Sequence, residues 1–324
     1  LRFVPEAAMH KIIIDTDPGI DDAMAIHLAF AHPELEVVGL TSIFGKVHVP
    51  VATRNALALA EMAGSDCPVA EGTDTPLGQP AHPPGYFVHG DDGFGNSGVI
   101  EPARVKDPRS AAQFIVDMVN AHPGEITLCP IGPLTSIALA LRLDPTIAEK
   151  VTQVVIMGGA VQTPGNVTEY AEANIWHDPH AAAEVFAADW PMTLIGLDVT
   201  EVVRCTPEDF NTLEAASPRI GGFLNRAVQF YFEWHKTKPH YAHGPFEGCF
   251  MHDPSAVLAI TNPDFFTFRE TPITVAIEGE RIAKTAPATS GPTVRVALQV
   301  DHQAVRQAFL DVTSAADIAA AARS

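Results

Sequence analysis

The feature that most restricts the fold is an alternation of short apolar runs with longer segments of helical periodicity. KIIID leads into DDAMAIHLAFAH, LEVVGLTSI into VATRNALALAEMAG and EITLCPI into LTSIALALRL, and VTQVVIMGG and PMTLIGLDV continue the series. Strands that alternate with helices in this way imply βαβ units wound around a largely parallel sheet. Ligands of such sheets bind beyond the carboxyl ends of the strands, so the polar residues that follow each apolar run are the ones to inspect. At 324 residues the chain suits one large α/β domain with loop insertions. That domain is expected over residues 9–324. Leu1 to Ala8 have neither a basic n-region nor a long apolar run and read as an upstream extension or a cloning remnant.

Charge narrows the partners. The chain carries 20 Lys and Arg against 39 Asp and Glu, a formal net charge of −19, which disfavours nucleic acid and anionic membranes and favours a neutral substrate or a metal cation. No apolar run approaches the ~18 residues of a membrane span. Cys67, Cys129, Cys205 and Cys249 form no CxxC pair, so reduced thiols in a cytoplasm are expected. Between Asp74 and Asn96 the chain is rich in Pro, Gly and His, and a second irregular stretch, WHKTKPHYAHGPFEGCFMHDP, precedes a helix expected from near Ser255. Both are candidate covers over a pocket. ITVAIEGE, TVRVALQV and HQAVRQAFLDVTSAADIAAAA suggest extra strands and a closing helix.

Three constellations follow the strands. In DTDPGIDD, Asp15, Asp17, Asp21 and Asp22 gather around a Pro18-Gly19 turn between a strand and a helix. Like charges so close raise each other's pKa unless something neutralises them, and an all-oxygen ligand set suits Ca²⁺ or Mg²⁺. The bland reading is one helix cap and three solvated carboxylates. The second constellation is Met157-Gly158-Gly159 with Asn166, Glu172 and Asn174, whose carboxamides and carboxylate suit sugar hydroxyls, although Asn174 also reads as a helix cap. The third is HDP, which occurs as His177-Asp178-Pro179 and as His252-Asp253-Pro254. An Asp before Pro is ordinarily an N-cap, and the second copy, after the aromatic and His-rich stretch, is the better site candidate.

Taken in order, DTDPGIDDAMAI, LTSIFGKV, ATRNALALAE, HGDDGFGN, LCPIGPLTSIALAL, VVIMGGA, AEANIWHDPHAAAEVF, GLDVTEVV and MHDPSAV resemble the blocks of the inosine-uridine preferring nucleoside hydrolase family. The resemblance runs from Met9 onward and implies a modified doubly wound, Rossmann-like α/β fold, bound Ca²⁺, and hydrolysis of the N-glycosidic bond of ribonucleosides. Carried over by position, Asp17 resembles the base that activates a metal-bound water. Asp22, Asp253, the Ile131 carbonyl and Asp17 resemble the metal set. Asp21, Asn174 and Asp253 resemble the holders of the ribose 2′- and 3′-hydroxyls, and Asn166 and Glu172 the 5′-hydroxyl contacts, with Met157 beside the sugar. His252 resembles the acid for the leaving base and His89 borders the base pocket, whereas His177 is expected to be structural and Asp15 to support the cluster from its edge. Family members are usually homodimers or homotetramers.

One departure is prominent. The family block after the second strand ends in Gly-Asn, with the Asn near the metal and the 2′-hydroxyl; here it reads Phe44-Gly45-Lys46. An ammonium ~8 Å from a divalent ion, at an effective dielectric of ~20, repels it by roughly 4 kcal/mol, against ~1 kcal/mol for one lost carboxamide hydrogen bond. Lys46 is therefore expected to alter metal affinity or substrate choice. Ala173, where many relatives carry an aromatic residue, is expected to loosen the pocket. Two rivals are a nucleoside or ribose binder that has lost turnover through Lys46, and a haloacid-dehalogenase-like phosphatase using Asp15-Thr16-Asp17 as its DxD. The PGIDD continuation and the HDP block count against the phosphatase. Purine or pyrimidine preference rests with residues 82–94 and 230–250, where Tyr231, Trp234, His240 and Tyr241 are the candidates to meet a base.

Overall fold

The computed structural model describes residues 9–98, 100–237 and 246–323; His240 and Tyr241 lie outside them. The chain forms β1 (His10–Thr16), β2 (Leu35–Ser42), β3 (Val69–Glu71), β4 (Asp107–Ser110), β5 (Ile126–Pro130), β6 (Gln153–Met157) and β7 (Met192–Ile195). Two short strands, β8 (Arg204–Cys205) and β9 (Cys249–Phe250), pair with each other. β10 (Phe266–Val275), β11 (Thr285–Pro287) and β12 (Thr293–Val300) complete the set. The large sheet has the order β11-β10-β12-β7-β6-β5-β1-β2-β3-β4. All neighbours from β12 to β4 are parallel, and β10 runs antiparallel to β12 and to β11. The mostly parallel α/β sheet flanked by helices is thus the expected one, and the tail adds its two long antiparallel strands.

β1 takes the centre because its residues suit burial on both faces. Ile12, Ile13 and Ile14 are each 1% exposed or less, and a β-branched run without polar alternation is what a doubly covered parallel strand requires. Ile12 and Ile14 face one core layer and Ile13 the other. The first layer is built largely from the helices Ile20–Ala31, Ile220–Thr237, His252–Thr261 and His302–Ser314, and the second from Ala111–Ala121, Thr135–Leu143 and Pro179–Ala187. Helix Ala111–Ala121 approaches β2 so closely that a Cβ on Gly39 would meet the Phe114 ring at 2.4 Å.

After β1 the chain builds outward through β2, β3 and β4 on one side, and β5 then opens the other. The strand order therefore reverses between β1 and β5. A crevice forms beyond their carboxyl ends, where Asp17 and Ile131 emerge side by side. Among the described residues, no helix is long and apolar enough to cross a membrane.

Candidate active site at the sheet's switch point

The Pro18-Gly19 turn feeds β1 into helix Ile20–Ala31 and places Asp21 and Asp22 in its first turn. Asp22 is fixed on three sides. Its carboxylate accepts from Thr16 Oγ1 at 2.6 Å and from the Gly19 N–H at 2.9 Å, and meets Lys46 Nζ at 2.9 Å. The turn is held from below by Asn55, whose Nδ2 donates to the carbonyls of Pro18 (3.1 Å) and Asp92 (2.8 Å). Asp92 in turn ties down the end of the first candidate cover, accepting from the N–H groups of Phe94 and Asn96. Nothing in the sequence pattern singles out Asn55.

Asp17 is positioned by small neighbours. It accepts from the Lys46 backbone N–H at 2.6 Å and from Lys46 Nζ at 3.1 Å. A Cβ at Gly45 would lie 2.1 Å from Asp17 Oδ2, and one at Gly132 would lie 2.8 Å from Oδ1. Gly45 also adopts φ +154°, in the range that favours glycine. Asp15, two residues earlier, does not join the cluster: it faces β2, where it accepts from Thr41 Oγ1 at 2.6 Å, and burial pushes its carboxyl up to about 7. The expectation that Asp15 supports the cluster is corrected on this point.

The two HDP copies part ways. Asp178 caps helix Pro179–Ala187, accepting from the Ala181 N–H at 3.0 Å, and also holds Leu77 N–H and Thr135 Oγ1. In the second copy the helix begins at His252 rather than near Ser255, and Met251 is its N-cap. Asp253 is thereby freed from capping, lies inside the first turn, is fully buried and faces the aspartates of β1's turn. His252 Nδ1 is 2.8 Å from Thr200 Oγ1, a positioning contact 52 residues away that no local pattern announces.

Lys46 stands in the middle. Its Nζ lies 2.9 Å from Asp22, 3.1 Å from Asp17, 3.3 Å from Asp253, 3.8 Å from Asp21 and 3.5 Å from the Ile131 carbonyl. Its stem passes over Gly19, where a Cβ would meet Lys46 Cδ at 2.7 Å, and this path brings the ammonium to the centre of the cluster. Burial and mutual repulsion raise the carboxyls of Asp17 and Asp253 well above the usual carboxylate range despite Lys46. At Asp21 burial also works upward, but the Lys46 charge and backbone N–H groups outweigh it and hold that carboxyl down. Burial alone would lower the lysine; the four carboxylates raise it well above its ordinary value.

The donor set suits a hard divalent cation. Oxygens of Asp21, Asp22 and Asp253 lie within 4.8 Å of one another, and Asp21 Oδ1 and Asp253 Oδ1 are buried without a hydrogen-bond partner among the described residues. Buried carboxylate oxygens in that state call for a cation. Asp21 rather than Asp17 completes this trio, with Asp17 at its edge.

On the far wall, Glu172 caps helix Ala173–His177. Its carboxylate accepts from the N–H groups of Gly159, Asn174 and Ile175, so the cap is Glu172 and not Asn174. Asn174 Nδ2 instead donates to the carbonyls of Ile131 and Met157, both at 3.1 Å. Asn166 Oδ1 accepts from the Ala173 N–H at 3.0 Å. His89 Nδ1 accepts from the Ile20 N–H at 3.3 Å, and burial holds the imidazole at about 4. A neutral ring that accepts through Nδ1 carries its proton on Nε2.

Ten of the candidate residues border one cavity of about 540 Å³. Asp17, Asp21, Lys46, His89, Met157, Asn166, Glu172, Asn174, His252 and Asp253 line it, and Asp22 and Ile131 lie behind them. Its upper part is aromatic, with Tyr231, Trp234, Phe87 and Trp176; His82 stacks on Trp176 with ring centroids 4.6 Å apart. Two of these residues escape sequence reasoning. Trp176 hides in a helical pattern, and His177, expected to be structural, lies in the cavity wall.

A doubly wound α/β protein whose switch-point crevice combines clustered carboxylates, carboxamides and an aromatic roof has the groups to hold sugar hydroxyls and the face of an aromatic ring. Residues 12–307 match the family described as inosine-uridine preferring nucleoside hydrolase, and the chain belongs to that family of N-ribosyl hydrolases. Uridine nucleosidase 1 of Arabidopsis thaliana is 42% identical over 271 residues, covering 83% of this chain and 79% of the relative. A plant nucleoside hydrolase, the PpNRh1 enzyme, superposes with a TM-score of 0.90 at 38% identity, covering 94% of this chain and 99% of the other. A purine-preferring ribonucleoside hydrolase from Gardnerella vaginalis also gives 0.90, at 33% identity over 95% of this chain and 99% of its own.

Proposed function

We propose that the chain hydrolyses the N-glycosidic bond of ribonucleosides to free base and ribose in a Ca²⁺-dependent reaction. The observation that carries this reading is the meeting, in one cavity, of Asp17 with the hydroxyl-binding groups Asp21, Asn174 and Asp253 beneath an aromatic roof. Cleaving a ribosyl C–N bond develops positive charge on the sugar, so carboxylates around the ring stabilise the transition state more than the ground state. A divalent cation held by Asp22, Asp21, Asp253 and the Ile131 carbonyl, with Asp17 at its edge, would acidify a neighbouring water. Asp17, with its carboxyl raised by burial, takes the proton from the attacking water. Asn174 and Asp253 hold the 2′- and 3′-hydroxyls, and Asn166 and Glu172 the 5′ end. Met157 packs against the ribose. His252, oriented by Thr200, protonates the departing base, and the neutral His89 donates through Nε2 beside it. Tyr231 and Trp234 supply faces on which a base stacks.

The Lys46 contacts favour one second reading, a nucleoside binder without turnover. A reducing-sugar assay over inosine, adenosine, guanosine, uridine and cytidine, with EDTA or with CaCl₂, separates the two. Free ribose abolished by EDTA and by Asp17→Asn is the expected result. If none of the five nucleosides yields ribose under either condition the hydrolase reading fails, and tight nucleoside binding in that case selects the binder.

A further inference from the structure

The ammonium of Lys46 stands among the same carboxylates and the same carbonyl that would hold the cation. It reaches Asp22, Asp17 and Asp253 at 2.9 to 3.3 Å and the Ile131 carbonyl at 3.5 Å. A Ca²⁺ must come within ~2.3–2.6 Å of its ligands, and the Asp21, Asp22 and Asp253 oxygens converge to within 4.8 Å, so this pocket of oxygens has no space for both charges. We propose that Lys46 is a tethered counter-ion occupying the cation position of the active site, and that Ca²⁺ enters only as the lysine side chain leaves. The inference rests on the metal reading above.

Three features make such an exchange feasible. Lys46 is anchored through its backbone, whose N–H bonds Asp17 at 2.6 Å, so the side chain can move without releasing Asp17. The side chain borders the open cavity and is 13% exposed. One ammonium does not satisfy four carboxylates: among the described residues Asp21 Oδ1 and Asp253 Oδ1 lack hydrogen-bond partners even with it in place, so attraction for a doubly charged ion persists. The lysine charge keeps the buried like charges together, as a metal there would.

The test compares the parent chain with Lys46→Asn and Lys46→Met by equilibrium dialysis against CaCl₂ and by thermal melting. Both variants keep the backbone bond to Asp17. They should bind one Ca²⁺ per chain at least ~10-fold more tightly than the parent, since each loses a competing positive charge. Their melting temperatures should fall in EDTA and recover with CaCl₂, while the parent's changes little. Lysine labelling with acetic anhydride, read by mass spectrometry on the parent alone, should find Lys46 protected in EDTA and more reactive as Ca²⁺ binds. Equal Ca²⁺ affinity in all three proteins, or Lys46 labelling unchanged when Ca²⁺ saturates the parent, overturns the inference and leaves the metal reading standing. If folded variants bind no Ca²⁺ at all, the metal reading falls and the inference falls with it.

Discussion

Among the described residues Asp17 has no hydrogen-bonding side-chain partner other than Lys46, and its position is set by two missing methyl groups. Gly45→Ala places a Cβ 2.1 Å from Asp17 Oδ2, 3.0 Å from its Cγ and 3.2 Å from Pro133 Cδ. Real Cβ contacts do not fall below 3.0 Å, so the carboxylate must retreat by at least about 0.9 Å or the loop must yield. The loop resists, because Gly45 already sits at φ +154°, where an L side chain adds about 1–3 kcal/mol of backbone strain. A reacting group moved by ~1 Å costs on the order of 10²-fold in rate. Gly132→Ala is the graded control. Its Cβ meets Asp17 Oδ1 at 2.8 Å and carries no left-handed strain, so a shift of a few tenths of an ångström and a loss of about 10-fold or less are expected.

The assay is kcat/KM for nucleoside hydrolysis, with circular dichroism and melting curves to confirm folding. A double-mutant cycle separates a displaced base from general damage. If Gly45→Ala acts through Asp17, adding it to Asp17→Ala should cost no further activity. Gly45→Ala that folds and hydrolyses within about threefold of the parent would refute the reasoning, as would a Gly132→Ala that is the more damaging of the two.

Other expectations concern different parts of the molecule. Burial holds His27 at about 3, and among the described residues both its ring nitrogens lack hydrogen-bond partners; between its unfolded pKa of ~6.5 and that value only the unfolded chain gains the proton. Stability should therefore fall with acidity by up to ~1.4 kcal/mol per pH unit below ~6.5, and His27→Leu should melt higher than the parent by a margin that widens from pH 8 to pH 5; a constant margin argues against it. Thr200→Val removes the 2.8 Å contact that orients His252, worth ~1 kcal/mol. It should lower kcat several-fold while sparing KM, with the larger loss for nucleosides whose base is the poorer leaving group; an equal loss on all of them would count against acid catalysis by His252. Gly39→Ala drives a methyl to 2.4 Å from the Phe114 ring and should destabilise by about 1–3 kcal/mol, in a urea titration that Phe114→Leu partly restores.

The sheet was legible because its rule is local. The Ile12–Ile14 run and the turn chemistry of Pro18-Gly19 leave few alternatives, and strand ends then fix where the polar residues meet. What stayed hidden depends on contacts between segments. Asp15 and Asp17 are two apart, a spacing that would put both on one face of a continuing strand, yet β1 ends at Thr16 and the two carboxylates diverge. Asp178 and Asp253 share a tripeptide, and only the residue at which each helix starts makes one a cap and the other a site group. For Lys46 the spacing established proximity but not depth. A lysine stem reaches the centre of the cluster here because Gly19 leaves its path open, so a charge expected beside the aspartates instead stands among them.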